Sequence, residues 1–299
     1  MTRFWHLSAL LSLTVLLASP TLAQQDLTQV EIETVTVASG ISMLVGAGGN
    51  IGVSYGEDGV ILIDDQYAPL TAKIQAAVGK LSQEPTRFVL NTHWHGDHSG
   101  GNENLGKAGA VIVAHDNVRV RMSTDQLIEA LEWEVPASPK GALPEVTFTE
   151  NVTFHLNGDA IHAYHVEHAH TDGDAIVIFS KANVVHMGDI YFNGLYPFID
   201  VSSGGSIDGM IEAVEGVLSK IDGETKIIPG HGPLSNQAEL QSYLSMLKKT
   251  RANVAALIAA GKTVEEAIAA KPNAEFDESL SSFIDAEKYI RILYSDLAR

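Results

Sequence analysis

The sequence predicts an α/β protein, because short apolar runs that suit buried strands alternate with longer segments of helical periodicity. Several of these runs are followed directly by histidine and aspartate, at the strand ends where open α/β sheets bind their ligands. The 299 residues are 45% hydrophobic, which is ample for a core and excludes a disordered chain. We therefore expect two βα-rich halves, about 24–135 and 145–299.

Residues 1–23 have the pattern of a secretory signal peptide. Arg3 gives a positive start, Leu7–Ala18 is an apolar run too short to span a membrane, and Pro20–Ala23 offers small residues for cleavage. The alternative is an uncleaved anchor helix. Cleavage would leave residues 24–299 as one domain, periplasmic or secreted, with no membrane contact.

The charge of the chain limits its partners. The formal charge is −18, and losing Arg3 with the leader, which holds no acid, leaves −19. So acidic a chain without a basic cluster repels phosphate backbones, which argues against a nucleic-acid partner and favours a small-molecule substrate. An anionic substrate stays possible, because bound metal ions would dominate the local field. The chain has no cysteine, so its metal donors are limited to His, Asp and Glu.

The amino-terminal half is predicted to alternate strands with helices. Strands are expected within Gln24–Val37 and at Ile41–Val45, Asn50–Tyr55, Gly59–Asp64, Arg87–Leu90 and Ala110–Ala114, and helices at Thr71–Leu81, after Asn102 and from His115 to about Leu131. Gly46–Gly49 lacks the Lys-Ser/Thr of a phosphate loop and predicts a hairpin turn near the site. His115 is expected to cap or pack at its junction, with lining of the site as the alternative.

The stretch from Trp133 to Pro144 interrupts this pattern. It holds three prolines and a glycine within twelve residues, which predicts a loop rather than a helix or a sheet strand. Two interpretations remain open. The stretch is either a substrate lid with Trp133 as an apolar contact, or a plain connector between the two halves.

The carboxy-terminal half resumes with strands and ends in helices. Strands are predicted at Val146–Phe148, Val152–Leu156, Ala160–His168, Ala175–Phe179, Val184–His186 and Lys226–Ile228, and helices at Ser206–Ile221, Gln237–Leu257, Val264–Ala270 and Ser279–Leu297. The aromatic stretch Tyr191–Asp200 is expected to line one side of a cleft next to Asp189, with Asn193 and Tyr196 as candidate substrate contacts.

The stretch Asn91–Gly101 carries the clearest chemistry, since it reads H-x-H-x-D-H directly after an apolar strand. His93 and His95 are two positions apart and point the same way in extended backbone. Asp97 keeps that step, and His98 turns away from it. Imidazole and carboxylate donors suit ions of the zinc type. Four donors in six residues are more than one tetrahedral ion uses, which indicates two adjacent ions.

The motif resembles the signature of the metallo-β-lactamase superfamily. Three further pieces follow in the family's order, at Ala169–Asp174, Met187–Asp189 and Pro229–Gly232, so that the resemblance runs from about Val45 to about Gly232. It implies a four-layer αββα sandwich, here with a C-terminal helical extension. Among the histidines near the second piece, His168 could support a ligand, whereas His155, His162 and His165 are expected to be ordinary strand residues.

The resemblance implies two Zn²⁺ ions and their ligands. One ion would take His93, His95 and His170, the other would take Asp97, His98 and His231, and Asp189 would be shared. A hydroxide bridging the ions would attack a carbonyl, while Asp97 orients it and shuttles a proton. Asp172 and Asp174 are expected to orient ligands through hydrogen bonds.

The expected activity is hydrolysis of a cyclic amide or ester, with a β-lactam as the first candidate because β-lactams act in the exported compartment. Some relatives that hydrolyse β-lactams place a cysteine at the position of Asp189, and this departure favours a thioester or lactone hydrolase of the glyoxalase II or lactonase type. An iron enzyme like the persulfide dioxygenases is the alternative from another class. A metal-binding protein without catalysis is a third interpretation, disfavoured because the resemblance leaves coordination positions open.

Overall fold

The computed structural model describes residues 26–299, so the predicted signal peptide and its anchor-helix alternative lie outside the described residues. Within that range, the model contains no helix with the length and apolar character needed to cross a membrane. The described chain forms two large sheets, one two-stranded sheet and nine α-helices.

The first sheet has seven strands, and its parallel part leads to the site. Its strands are β1 (Glu33–Ala38), β2 (Ile41–Val45), β3 (Ile51–Gly56), β4 (Gly59–Ile63), β5 (Thr86–Leu90), β6 (Val111–His115) and β9 (Val146–Phe148). Strands β1 to β4 form an antiparallel meander, and β4, β5, β6 and β9 are parallel. The carboxyl ends of β4, β5 and β6 therefore share one edge, which is where ligand sites form in α/β sheets.

The second sheet has six strands in chain order. They are β10 (Asn151–Leu156), β11 (Asp159–His165), β12 (Ala175–Phe179), β13 (Val184–His186), β14 (Lys226–Ile228) and β15 (Ser235–Asn236). Only β13 and β14 pair in parallel, so the loops that follow them begin at the same end of the sheet. These loops carry Asp189 and His231.

Helices cover the outer face of each sheet. They are α1 (Thr71–Leu81), α2 (Gly96–Ser99), α3 (Asn102–Lys107), α4 (Asp116–Met122), α5 (Ile207–Leu218), α6 (Gln237–Ala259), α7 (Val264–Ala269), α8 (Ala274–Leu280) and α9 (Ala286–Leu297). Strand alternation assigns the layers. Ile61 and Ile63 of β4 pack with Val177 of β12 between the sheets, whereas Leu62 packs with Ile74 of α1 on the outside. The predicted four-layer sandwich with a C-terminal helical extension is confirmed.

Two boundaries around residue 130 were predicted wrongly. The helix from His115 ends at Met122, and residues 126–135 form a hairpin of β7 (Gln126–Ile128) and β8 (Trp133–Val135). Asp125 accepts a hydrogen bond from the backbone of Ala137 at 2.9 Å, which fastens the base of the hairpin. Part of the predicted loop is therefore a strand, because cross-strand pairing outweighs local helical spacing.

Two other predicted elements end earlier or divide. The strand expected to reach His168 ends at His165, and His168 itself has a left-handed backbone with φ of 51°. The predicted last helix is split into α8 and α9, because Asp285 caps α9 by accepting a hydrogen bond from the backbone of Lys288 at 2.8 Å.

His115 caps α4, and this predicts a pH dependence of stability. Its Nδ1 accepts from the backbone of Asn117 at 3.2 Å, its Nε2 donates to the carbonyl of Thr149 at 3.0 Å, and its ring stacks on His165 at 3.7 Å. Only a neutral imidazole can accept at one nitrogen and donate at the other. Burial, with His165 nearby, lowers the pKa of His115.

A histidine whose pKa is lower in the folded than in the unfolded chain contributes its full stability above about pH 6.5 and loses it as pH falls. We expect His115→Asn, which keeps an N-cap acceptor, to lose less stability than the wild type between about pH 7.5 and about pH 5. Urea unfolding at both pH values measures this. Equal losses in the two proteins would show that folding does not lower the pKa of His115.

Candidate metal centre

The seven side chains predicted as metal ligands meet where the parallel strands of both sheets end. They form three groups, and within each group the donor atoms lie within 4.8 Å of one another. The groups are His93, His95 and His170; His93, His98 and Asp189; and Asp97, His98 and His231. The first and third groups match the two ligand sets that the resemblance implies. The middle group joins them, so the two sites are neighbours.

Asp189 connects the two sites through its separate oxygens. Its Oδ2 lies 3.8 Å from Nε2 of His93 and 3.6 Å from Nε2 of His170. Its Oδ1 lies 3.0 Å from Nε2 of His98 and 3.4 Å from Nε2 of His231. One carboxylate thus faces both sets of imidazoles, which is the arrangement that a shared ligand requires.

The spacing of the donors fits a pair of divalent cations. Nε2 of His170 lies 2.9 Å from Nδ1 of His95, and Nε2 of His98 lies 3.4 Å from Nε2 of His231. With zinc–nitrogen distances of about 2.0–2.1 Å, neighbouring ligands of a tetrahedral ion are about 3.3 Å apart. Buried Nε2 of His93 and Oδ1 of Asp189 have no hydrogen-bond partner within the described chain, as expected for atoms reserved for a cation.

Asp64 orients two of the histidines from behind. Its Oδ2 accepts a hydrogen bond from Nδ1 of His98 at 2.8 Å and another from the hydroxyl of Thr92 at 2.8 Å. That hydroxyl accepts in turn from Nδ1 of His93 at 3.0 Å. Both rings therefore use Nδ1 as a donor to this network and direct Nε2 into the site, which leaves Nε2 as the nitrogen available to a metal.

The ring of His95 is held in the opposite tautomer. Its Nε2 donates to Oδ2 of Asp200 at 3.0 Å, so Nδ1 is left to face His170. Nδ1 of His170 donates to the carbonyl of Phe198 at 2.8 Å, which leaves its Nε2 free. The aromatic stretch before Asp200 thus supports the first site from outside.

The charges of the cluster favour cations. Burial lowers the pKa of His231, but the carboxylates of Asp189 and Asp97 outweigh burial and raise it to about 10. Burial raises the pKa of Asp97, yet His98 and His231 outweigh it and lower the pKa to about 2. The rings of Phe192 and Phe198 lie beside His170, and burial lowers the pKa of His170 to about 4. A cation at the carboxylates would replace the protons that these imidazoles otherwise hold.

The glycine-rich turn closes one side of the centre, as predicted for a hairpin turn near the site. The backbone N–H of Gly49 donates to the carbonyl of Asp97 at 3.0 Å. A Cβ at Gly49 would lie 2.0 Å from Cε1 of His98, so only glycine fits there. Nε2 of Gln66 donates to the Gly49 carbonyl at 2.7 Å and holds the turn in place.

Of two predicted substrate contacts, the prediction for Tyr196 is wrong and that for Asn193 stays a prediction. Tyr196 is only 2% exposed, and its hydroxyl donates to Asp277 at 2.8 Å. The amide of Asn193 donates to the carbonyl of Pro233 at 3.1 Å and to Glu239 at 3.2 Å, which fastens the loop after His231. Tyr196 is therefore too buried to contact a substrate, whereas Asn193 is partly exposed and uses only its amide nitrogen in these bonds. Their aromatic and polar types gave no sign of these distant partners.

Asp172, Asp174 and His168 were predicted to support the ligands through hydrogen bonds. Asp174 does so, because its carboxylate accepts a hydrogen bond from the backbone N–H of His170 at 2.6 Å. Asp172 instead pairs with Arg121 at 2.7 Å, and His168 donates to the carbonyl of Gly204 at the surface. His155, His162 and His165 lie in strands, as predicted. Trp133 is 40% exposed on the β7–β8 hairpin and remains a candidate contact.

Sequence reasoning did not identify Asp64 and Asp200 as partners of the site histidines. Asp64 had one signal, because it directly follows the fully buried strand β4 at the edge where sites form. Asp200 had none beyond its place at the end of an aromatic stretch. It reaches His95 from 105 positions away, a pairing that only the fold reveals.

A sequence model of the metallo-beta-lactamase superfamily matches residues 45–261 of the chain. Metallo-beta-lactamase type 2 of Bacteroides fragilis is 26% identical over 152 residues, which is 51% of this chain and 55% of that protein. The match thus spans about half the length of the curated relative.

Solved structures of similar fold include a metallo-beta-lactamase from Pontibacter korlensis, with a TM-score of 0.61 and 18% identity over 73% of this chain and 99% of that one. The DIM-1 metallo-beta-lactamase has a TM-score of 0.58 and 19% identity, over 74% of this chain and 99% of that one. The mono-zinc form of FIM-1 from Pseudomonas aeruginosa has the same TM-score of 0.58 and 19% identity, over 73% and 96%. At these identities the likeness shows the fold alone.

Proposed function

The chain belongs to the metallo-beta-lactamase superfamily, and from that membership we propose that it is a zinc hydrolase of small molecules with a reactive carbonyl. The seven clustered side chains would hold two zinc ions, with Asp189 shared between them. The observation that carries the proposal is the position of the Asp189 carboxylate between the two sets of imidazoles. Its Oδ2 faces His93 and His170, and its Oδ1 faces His98 and His231.

Zinc bound at this centre would polarise a carbonyl and lower the pKa of water to about 7. The side chains of the protein would transfer the proton and leave one side of the centre open to the substrate. The side chains of Asp97 and His231 are 24% and 26% exposed, whereas that of His93 is 1% exposed and that of His170 fully buried. The centre therefore opens on the side of Asp97 and His231. Asp97 is the carboxylate placed to take a proton from water and return it to the leaving group.

Two substrate classes are candidates for this site, β-lactams on one hand and lactones or thioesters on the other. Similarity to a metallo-beta-lactamase type 2 and the predicted export to the periplasm support a β-lactam. The aspartate at position 189, where some relatives that hydrolyse β-lactams have cysteine, supports a lactone or thioester.

A direct test uses purified residues 24–299 saturated with zinc. Bound metal is counted by elemental analysis, and turnover is measured with a chromogenic cephalosporin, a homoserine lactone and a glutathione thioester. We expect two zinc ions per chain and turnover of at least one substrate, lost with a chelator and regained with zinc. Turnover of the lactone or thioester alone would retire the β-lactam assignment.

The same preparation tests the alternative from another class. A persulfide dioxygenase would retain mainly iron after purification and consume oxygen with glutathione persulfide. That result, or two bound zinc ions without turnover of any of the three substrates, would contradict the proposed hydrolase.

A further inference from the structure

We propose that Asn50 and His186 are positioning residues that hold the metal ligands His231 and Asp189 in place without touching a metal themselves. This inference rests on the proposed function and adds two residues to it. Asn50 lies between the glycine-rich turn and β3 of the first sheet and is 3% exposed. His186 is the last residue of β13 in the second sheet and is fully buried. The two residues are in contact, since Nε2 of His186 donates to the carbonyl of Asn50 at 3.1 Å.

Asn50 binds the chain on both sides of His231. Its side-chain amide nitrogen donates to the carbonyl of Pro229 at 3.0 Å and to that of Gly232 at 2.8 Å. Its backbone N–H donates to the carbonyl of Gly230 at 2.7 Å. Three carbonyls of residues 229–232 thus accept hydrogen bonds from one residue of the other sheet. Residues 229–232 lie between β14 and β15, so the position of their backbone depends on such contacts from other segments.

The ring of His231 is held less firmly than the rings of the other site histidines. Each of those four donates a ring N–H to a carboxylate, hydroxyl or carbonyl outside the seven ligands. Within residues 26–299, the polar contacts of the His231 ring are all with other ligands, at Nε2 with His98, Asp97 and Asp189. The ring also stacks on Phe192 at 5.3 Å, which fixes its plane. The place of His231 in the site therefore depends on its backbone.

His186 extends the same support to Asp189. Its Nδ1 accepts a hydrogen bond from the backbone N–H of Gly188 at 3.2 Å, and Gly188 directly precedes Asp189. The carbonyl of Gly188 accepts from the backbone N–H of Gly230 at 2.8 Å. A neutral imidazole donates at one nitrogen and accepts at the other, so His186 joins Asn50 to Gly188. These residues form a closed ring of hydrogen bonds between the two loops that follow β13 and β14.

The turn before β3 also connects ligands from the two halves of the chain. Gly49 donates to the carbonyl of Asp97 in the loop after β5, and the next residue, Asn50, donates to the carbonyls around His231. Nε2 of His231 lies 3.3 Å from Oδ2 of Asp97. A metal site needs its ligands within about 0.5 Å of the productive geometry. Two consecutive residues of the turn therefore fix the spacing between donors of the second site.

The role of Asn50 is tested by a nearly isosteric change. Asn50→Asp replaces the two N–H donors by oxygens that face the carbonyls of Pro229 and Gly232, but it keeps the backbone carbonyl that His186 contacts. We expect zinc at the second site, which contains His231, to bind about 10- to 100-fold more weakly, with turnover restored by excess zinc, while the first site keeps its affinity. Competition with a chromogenic chelator measures the affinity of each site.

The role of His186 predicts a different pattern of metal loss. His186→Gln keeps an N–H donor for the carbonyl of Asn50, but it then has no acceptor in the position of Nδ1 for the N–H of Gly188. Because Asp189 is shared, we expect this variant to weaken both zinc sites, whereas Asn50→Asp weakens the second alone. A loss of packing would not produce this difference between the two variants.

Asn253→Asp is the control for the chemical change. The amide of Asn253 likewise donates twice, to the carbonyl of Pro272 at 2.8 Å and to Oδ1 of Asn273 at 3.1 Å, but it does so in the C-terminal extension. This variant should leave both zinc affinities unchanged. Wild-type affinity at both sites in Asn50→Asp would overturn the positioning role. So would equal weakening of both sites in Asn50→Asp, or the same weakening in Asn253→Asp.

Hydrogen exchange separates failure of the positioning role from failure of the proposed hydrolase. In the metal-free chain, we expect the backbone amides of residues 226–236 to exchange faster in Asn50→Asp than in the wild type, and at the wild-type rate in Asn253→Asp. That result supports the role even if the chain binds no zinc, which would contradict the proposed function alone. Unchanged exchange would overturn the role. Asn50→Ser, which leaves room for water at the two carbonyls, is measured in the same way if Asn50→Asp does not fold.

Discussion

Replacing Asp189 with asparagine is expected to remove one metal ion and nearly all activity. An amide keeps the shape of the carboxylate but offers one oxygen and a nitrogen that cannot serve as a ligand. Asp189 uses one oxygen toward His93 and His170 and the other toward His98 and His231. Whichever way the amide turns, one site loses its oxygen.

The substitution should change both the number of zinc ions bound per chain and the rate of hydrolysis. We expect Asp189→Asn to retain about one zinc where the wild type retains two, and kcat/KM to fall on the order of 10³-fold, since a catalytic metal contributes several kcal/mol to transition-state stabilisation. Asp172→Asn is the control, because Asp172 lies two residues from His170 but pairs with Arg121. Two zinc ions at wild-type affinity in Asp189→Asn would refute the shared-ligand role.

The strands β2 and β3 and the donors from His93 to His98 were predictable because each depends on a short, continuous stretch of sequence. β2 and β3 have strong apolar runs on either side of a glycine-rich turn, and their observed bounds differ from the prediction by at most one residue. The donors from His93 to His98 lie in one turn after β5, so their convergence needs no long-range contact. Local periodicity and local spacing were sufficient in both cases.

The features that were missed depend on partners far apart in the chain. The β7–β8 hairpin forms by cross-strand pairing within a stretch whose spacing is helical and whose prolines indicate a loop. Tyr196 was taken for a cleft residue, but Asp277 and Tyr289 of the extension bury it. A sequence pattern shows that an aromatic side chain will be buried somewhere, and not which neighbour buries it.

Replacing Asp64, which orients the ring of His98, is expected to give the second large effect. Asp64 lies 28 positions before Thr92 and 34 before His98, yet its oxygens accept from the backbone of Thr92 at 2.7 Å, from the Thr92 hydroxyl at 2.8 Å and from His98 at 2.8 Å. Three donors surround two oxygens, so an asparagine would point its NH₂ group at a donor in either orientation. Its backbone has φ of 67°, which asparagine tolerates, so the substitution changes the side-chain chemistry alone.

In Asp64→Asn, His98 is expected to move its proton to Nε2, because Nδ1 then loses its acceptor, and the lone pair that faces Asp189 and Asp97 is lost. We expect zinc at the second site to bind about 10- to 100-fold more weakly, with activity restored by excess zinc. Competition with a chromogenic chelator measures the affinity of each site. Asp65→Asn is the matched control, since Asp65 is equally buried but accepts only from the backbone of Gly101. Equal weakening in both variants would mean that any buried carboxyl group at this edge matters, whereas weakening in Asp64→Asn alone assigns the effect to the orientation of the His98 ring.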